Sequence, residues 1–336
     1  MKPVLGIMLG DATGIGPEIV AKLVAEKTFN KYCRYVLIGD ARVLALGQQI
    51  AGVQFPVAVV QHVGEIDWSG PVPILDQKNV DPTSLKMGRL NVNSGRATGD
   101  TIIASLRLLQ ERSIDGFVFA PINKQALKLG GYNYEDEHKI FAEFFHWEKP
   151  WGIMNVLGDL WTFRVTGHIP LSEVAASITL EGTLRAIRLA ATTLQRAGYA
   201  NPRIALAALN PHAGEGGLCG KEEVLIIGPA IKKARAEGIE ALGPFSADTI
   251  FIKAFKGEYN AVVTMYHDQG QIATKLMGFE AGVTVSAGMP YPITTPEHGT
   301  AFDIAGKGIA KTGATENAVI IAAKMAGWRE EKETSA

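Results

Sequence analysis

The chain is poor in cysteine, has no long apolar run and carries almost no net charge, and each lack removes a class of protein. Its two cysteines, Cys33 and Cys219, are too few for a disulfide framework and point to a reducing compartment. Lys and Arg number 33 against 34 Asp and Glu, a net charge of −1, so no global basic field exists to hold nucleic acid or an anionic membrane. No apolar run approaches the roughly 20 residues of a membrane span. The opening MKPVLGIMLGDATGIG is broken by Gly6, Gly10 and Asp11 too soon for a signal peptide. These lacks lead to the expectation of a cytoplasmic protein. There is also no low-complexity segment and no internal repeat. What is present, 336 residues with 47% hydrophobic and 20% charged, suits one large or two medium globular domains.

Short β-type runs alternate with longer helical patterns. Residues 3–9, 35–38, 116–120, 161–166, 204–209 and 261–266 read as strands. Residues 16–27, with Pro17 in the first turn, 97–110, about 181–196, about 222–237 and about 316–326 read as helices. This rhythm predicts an α/β fold of βαβ units with a largely parallel sheet. Crossings between domains are expected in the polar, turn-rich stretches 130–137 and 291–299, and the charged tail 328–336 is expected to fray.

Three histidines stand just past three of the predicted strands. His168 follows 161–166, His212 follows 204–209 in LNPHAGEGG, and His267 follows 261–266 in YHDQG. In an open α/β sheet, ligands bind beyond the carboxyl ends of the strands. If the three runs share one sheet, three imidazoles meet at one rim. Such a set with neighbouring carboxylates suits a borderline divalent ion such as zinc, manganese, cobalt or nickel. The competing reading has each histidine satisfy a local hydrogen bond at its strand end.

Two glycine-rich segments flank this region. GDATGIGPE joins the first strand to the first helix; its Gly14 and Gly16 look like a Rossmann turn, but the third glycine is missing and Pro17 opens the helix. EHGTAFDIAGKGIA places His298 and Gly299 before Thr300 and Ala301, small residues that let a flat ring approach the backbone, and Asp303 can accept a hydrogen bond from a ribose or amide. Together they resemble the opening loop and the NAD-binding loop of the isocitrate/isopropylmalate dehydrogenase superfamily. The strings PINKQAL, LNPHAGEGG, SADTIF, YHDQG and HGTAFDIAGKG narrow this, over about residues 3–327, to a resemblance to the 4-hydroxythreonine-4-phosphate dehydrogenase family.

The resemblance implies an isopropylmalate dehydrogenase-like α/β fold, with two α/β/α domains around a cleft. Residues 1–132 plus 300–330 would form the cofactor-side domain, and 133–299 the domain for metal, substrate and dimerisation. His168, His212 and His267 would bind one divalent metal (zinc, manganese, cobalt or magnesium). His267 would come from the partner subunit of a homodimer, so that the active site is shared. NAD or NADP would bind at Gly14, Gly16, His298, Gly299, Thr300, Ala301 and Asp303, with Lys307 and Lys311 near the region that selects between them. Asp248, Asp268 and Lys275 match catalytic or substrate-contacting positions, and Asn123 and Lys124 match a loop facing the cleft. Asp248 has an alternative role as a cap on a helix beginning near Thr249. The implied reaction is NAD(P)-dependent oxidation of a secondary alcohol of a metal-chelating hydroxy acid, with loss of CO2.

Departures from the family pattern bear on the substrate. Glu137 and His138 stand where a His-Thr pair binds phosphate, Thr284 replaces an asparagine, and Ile293 replaces an arginine, the favoured bidentate partner of phosphate. These exchanges, with the aromatic segment Phe141, Phe144, Phe145, Trp147 and Trp151, lead to the expectation of an unphosphorylated substrate, such as a carboxylated cis-dihydrodiol of the terephthalate type. The alternatives are 4-hydroxythreonine 4-phosphate or a four-carbon sugar-acid phosphate. An acyl or phosphate transferase of the same architecture, or a non-catalytic metal- or nucleotide-binding module, stands further off.

Overall fold

The computed structural model of the protein describes residues 2–330. Along the chain run β1 (Val4–Met8), α1 (Gly16–Ala25), β2 (Arg34–Gly39), α2 (Ala41–Ala51), β3 (Val57–Val60), β4 (Val72–Asp76), α3 (Val92–Gln110), β5 (Gly116–Phe119), α4 (Lys124–Leu129) and α5 (Glu137–Phe144). Next come β6 (Gly152–Leu157), β7 (Leu160–Arg164), α6 (Leu171–Ser177), α7 (Leu180–Arg196), β8 (Ile204–Ala207), α8 (Gly228–Ala236), β9 (Ala241–Phe245), α9 (Ala247–Ala254), β10 (Ala261–Thr264) and α10 (His267–Gly278). The chain closes with β11 (Val283–Ala287), β12 (Ile293–Pro296) and α11 (Gly313–Met325).

The chain forms two compact units, residues 1–148 with 289–336 and residues 149–288. The first unit holds strands in the order β3-β4-β2-β1-β5-β12, every neighbouring pair parallel. The second holds β11-β6-β7-β10-β8-β9, in which β11, β6 and β7 pair antiparallel and β7, β10, β8 and β9 pair parallel. The fold is therefore α/β with largely parallel sheets. The cause lies in the strands themselves: β5 (GFVF), β8 (IALA) and β10 (AVVT) are buried at every position. Continuous apolar runs of this kind sit in sheets covered on both faces, where crossover helices make parallel pairing the rule.

Several expected boundaries move. Whereas crossings were expected at 132/133 and 299/300, the compact units change at 148/149 and 288/289. Residues 293–296, expected within a polar crossing, form β12, which pairs with β5 through Ile293↔Phe117 and Thr294↔Val118. Helix α3 begins at Val92 rather than near Ala97, because Asn91 caps it by accepting the Ser94 N–H. The tail does not fray at its start: Trp328 donates its backbone N–H to Ala323 and sets its ring edge-on to Tyr32 at 5.3 Å. The rest of that expectation, 331–336, lies outside the described residues.

Candidate functional site

In the second unit the parallel strands β7, β10, β8 and β9 lie side by side, so their carboxyl ends form one rim. His168 follows β7, His267 and Asp268 open α10 just after β10, His212 follows β8, and Asp248 lies in the first turn of α9 after β9. Residues far apart along the chain, such as His168 and His267, thus follow neighbouring strands.

Side chains and backbone lace the rim together. Thr166 donates its hydroxyl to the Met265 carbonyl (2.7 Å), tying the end of β7 to the end of β10. Gln269 accepts the Met265 N–H (2.7 Å) and donates its amide to the Ala208 carbonyl (2.7 Å), tying β10 to β8. The Ala208 N–H continues to the Phe245 carbonyl at the end of β9 (2.8 Å). Each link fixes one loop base and leaves the residues beyond it at the edge.

The imidazoles of His168 and His267 sit with ring centroids 5.1 Å apart. His267 holds Asp268 through Nδ1 (2.7 Å to Oδ1), the arrangement in which a carboxylate orients an imidazole and leaves Nε2 for a ligand. The donor chemistry of this pair fits a divalent metal. The resemblance assigned His267 to a partner's site; here it lies beside His168 of its own chain. Among the described residues no group of three His, Cys, Asp or Glu is gathered closely enough to hold an ion.

His212 belongs to a strained loop. His212, Ala213, Gly214, Glu215 and Gly216 all have positive φ, 53°, 53°, 75°, 43° and 67°. For the three non-glycine residues this costs on the order of 1 kcal/mol each, strain that is typically stored at ligand sites. The buried Glu223 holds the loop base: its Oε1 accepts the N–H groups of Leu209 (2.9 Å) and Asn210 (2.8 Å), and its Oε2 accepts the Asn210 amide (2.9 Å). Glu222 accepts from the same amide (2.7 Å); its own backbone N–H and Asn210 hold its carboxyl below the usual range. A Cβ at Gly214 would stand 2.5 Å from Glu223 Oε2, so the glycine is required there.

The other residues expected in this unit are less drawn in. Asp248 is exposed and does not cap α9, whose N-cap is Ser246. Lys275 is exposed about two turns along α10 from His267. Thr284 lies on β11 beside Asn155, which donates to it (3.4 Å) and accepts from Gln271 (2.7 Å) and Arg164 (3.2 Å).

In the first unit the two glycine-rich segments meet. The Ile15 N–H donates to the Thr300 carbonyl (3.2 Å), and a Cβ at Gly14 would stand 2.9 Å from Thr300 Cβ. A Cβ at Gly16 would stand 2.3 Å from the Leu9 carbonyl, so both glycines are fixed by close backbone approach. Asp11 is fully buried and accepts the Thr13 N–H (2.8 Å), the Thr13 hydroxyl (2.7 Å) and the Ser94 hydroxyl (2.7 Å), which sets the loop shape. Glu18 is 1% exposed; it pairs with Lys22 (2.7 Å) and accepts the Ala310 N–H (2.8 Å), while Lys22 donates to the Gly308 and Ala310 carbonyls (2.9 Å each). This ion pair clamps the far end of the HGTAFDIAGKGIA segment to α1. Ala301 turns with φ 43°, His298 contacts the Gly299 carbonyl through Nδ1 (3.1 Å), and Gly299 and Asp303 are exposed. The loops present small residues and open backbone, a cradle that fits a dinucleotide.

The phosphate-site positions fall differently from the expectation. Ile293 is fully buried in β12 and meets no surface a substrate can reach, so its lack of charge says nothing about the anion bound. Glu137 is buried at the start of α5 and faces Lys124 Nζ at 3.4 Å, which offsets its charge. His138 is buried against Phe141 with ring centroids 5.6 Å apart, and Phe141 stacks edge-on with Phe119 at 5.9 Å in the core. Asn123 caps α4 by accepting the Ala126 N–H (2.8 Å). Gln269, Thr166, Glu223, Asp11, Glu18 and Lys22 escaped the sequence reading. Only GDATGIGPE and YHDQG carried a signal for three of them, Asp11, Glu18 and Gln269, in motifs read for their neighbours.

Comparison with known proteins places these arrangements. The family model described as "Pyridoxal phosphate biosynthetic protein PdxA" matches residues 31–322. A Pseudomonas aeruginosa protein provisionally named as a second 4-hydroxythreonine-4-phosphate dehydrogenase is 44% identical over 327 residues, 96% of this chain and 97% of that one. The crystal structure of 4-hydroxythreonine-4-phosphate dehydrogenase from Klebsiella pneumoniae superposes with a TM-score of 0.85 at 33% identity, covering 97% of this chain and 98% of the other. That of a terephthalate 1,2-cis-dihydrodiol dehydrogenase from Burkholderia xenovorans superposes less well, with a TM-score of 0.67 at 26% identity, covering 96% and 98%. The chain belongs to the PdxA family of pyridoxal phosphate biosynthetic proteins.

Proposed function

We propose that the protein is a metal-dependent NAD(P) dehydrogenase that oxidises the secondary alcohol of a phosphorylated hydroxy acid of the 4-hydroxythreonine 4-phosphate type and acts as a homodimer. The observation that carries the reading is the rim of four adjacent parallel strands followed by His168, His267 with Asp268, His212 and Asp248. His168, His212 and His267 would hold the ion, and the segments at Gly14–Gly16 and His298–Asp303 would hold the dinucleotide. The ion would supply Lewis-acid activation of the substrate alcohol and of the carbonyl formed, which would ease loss of CO2, and the dinucleotide would supply the hydride acceptor.

The residues of the chain orient the groups and move the proton. Asp268 fixes the His267 ring, and Gln269 and Thr166 fix the loop bases. Asp248 and Asp268 are the rim carboxylates that would take the hydroxyl proton. Lys275, exposed on α10, supplies a positive charge for the substrate anion.

The unphosphorylated dihydrodiol is not supported and gives way to the phosphorylated substrate. Its grounds are weakened: Ile293 is a core residue, Phe141 packs in the core, and the Glu137 charge is met by Lys124. The relatives named for the phosphorylated substrate also match better in sequence and structure. Dimerisation is supported by α10, which starts at His267 and exposes Ile272 (60%), Leu276 (82%) and Met277 (61%), an apolar stretch a second copy can cover.

The test is reduction of NAD and NADP, followed by absorbance, with 4-hydroxythreonine 4-phosphate, phosphorylated four-carbon sugar acids and a carboxylated cis-dihydrodiol, with and without added divalent metal. The expected result is metal-dependent turnover of a phosphorylated compound. Turnover of the dihydrodiol alone, or of none of the panel, would overturn the reading.

A further inference from the structure

We propose that the first unit carries a second ligand site, for a small organic carboxylate, at the amino-terminal edge of its sheet. A cavity of about 670 Å³ opens there, lined among others by Arg34, Tyr35, Phe55, Trp68, Lys2 and Lys27. That size suits a small molecule. Its walls are the start of β2 and the segments that lead into β3 and β4. The glycine loop after β1 and Asp40 after β2 lie at the opposite, carboxyl edge, so the cavity is separate from the dinucleotide loops of the same unit.

Arg34 is what makes the cavity a site. Its guanidinium lies 4.8 Å over the ring of Trp68, so one face is occupied. Its Nε is buried and donates to no acceptor among the described residues. A buried donor left unmet is costly, and a carboxylate meeting the guanidinium edge is the planar group that relieves it. Nothing in the lining does so. Asp67 is the one acidic residue there, and its Oδ1 is turned to its own tight turn, accepting the Ser69 N–H (3.0 Å) and hydroxyl (2.7 Å). Lys2, Lys27 and Arg34 against Asp67 leave the lining with two net positive charges. Phe55, Pro56 and Pro71 add apolar wall, and Trp68 keeps 39% of its surface in solvent. Burial, then Cys33, pushes the Tyr35 phenol up to about 12, so it stays neutral and able to donate at neutral pH. Cations, a neutral donor and flat apolar walls together select an anion carried on a flat apolar body.

The test is calorimetric titration of the full-length protein with benzoate, acetate and inorganic phosphate. Benzoate is expected to bind, with acetate and phosphate weaker, and Arg34→Met and Trp68→Leu are each expected to weaken benzoate by about tenfold or more. Both variants leave the residues of the proposed dehydrogenase untouched, so the result is independent of that reading. If Arg34→Met fails to fold, Trp68→Leu at its partly exposed position reads the same cavity. No binding of any probe, phosphate binding at least as tight as benzoate, or benzoate binding unchanged in the folded variants would each overturn the assignment.

Discussion

Two buried carboxylates hold the candidate loops in shape. Glu18 joins α1 to the segment at Gly308–Ala310 through Lys22, with one exposed percent of surface to relieve its charge. Removing its cation strands that charge. Lys22→Met is therefore expected to lower unfolding free energy by about 3 kcal/mol and to raise the KM for NAD more than it lowers kcat. Denaturant unfolding and steady-state kinetics check this; an unchanged KM would separate the clamp from the cofactor. Glu223 plays the same part beneath the His212 loop. Glu223→Ala leaves the N–H groups of Leu209 and Asn210 without their acceptor and is expected to cost about 2 kcal/mol. At this scale the sequence was legible for residues that stand in motifs, such as His267 and Asp268, and opaque where meaning depends on distant contact. Ile293 looked like a lost phosphate ligand because its strand, β12, is only four residues long and ends in Pro296, too little pattern to show that it is core.

Elements show the same division. The strands followed by His168, His212 and His267 were readable because each is a short, mostly apolar run, and their adjacency follows from parallel pairing that no local pattern encodes. Helix α3 runs from Val92, ahead of the 97–110 read from the sequence, and carries Gly95 and Gly99 within it. They are there for packing: a Cβ at Gly95 would stand 1.9 Å from the Ala126 carbonyl oxygen of α4, and one at Gly99 would stand 2.0 Å from the Tyr132 ring. Gly95→Ala is expected to destabilise the protein by about 3 kcal/mol, whereas Gly64→Ala, with nothing within 4 Å, is expected to be near neutral in the same thermal melts. Helix α2 gives a pH signature. Asp40 caps it, accepting from Arg42 N–H and the Arg42 guanidinium and from the Val80 N–H; burial pushes its carboxyl up, but these donors together hold it below the usual range. A carboxyl depressed on folding stabilises fully above its unfolded pKa of about 3.9 and loses that contribution as pH falls through the folded value. The Tm advantage of the native protein over Asp40→Asn is therefore expected at neutral pH and expected to shrink below about pH 4; an advantage that persists there would contradict the ionic role.

For the whole molecule, the alternation of strands and helices foretold an α/β protein and composition allowed one large or two medium domains, but neither showed where the units divide, because α5 and β12 belong to the first unit through contacts with α3 and β5 that lie far off in sequence. No helix of the described residues is long and apolar enough to cross a membrane. The exposed Ile272, Leu276 and Met277 of α10 predict a self-associating molecule: Leu276→Glu is expected to shift sedimentation from dimer to monomer and to lower turnover. The central claim is that the rim after β7, β10 and β8 is a metal centre. The most direct measurement is calorimetric titration of a divalent ion into chelator-stripped native protein and into His168→Ala, His212→Ala and His267→Ala. The account predicts about one ion per chain, with affinity lowered about tenfold or more by each substitution. No ion bound by the native protein, or native-like affinity in all three variants, would contradict it.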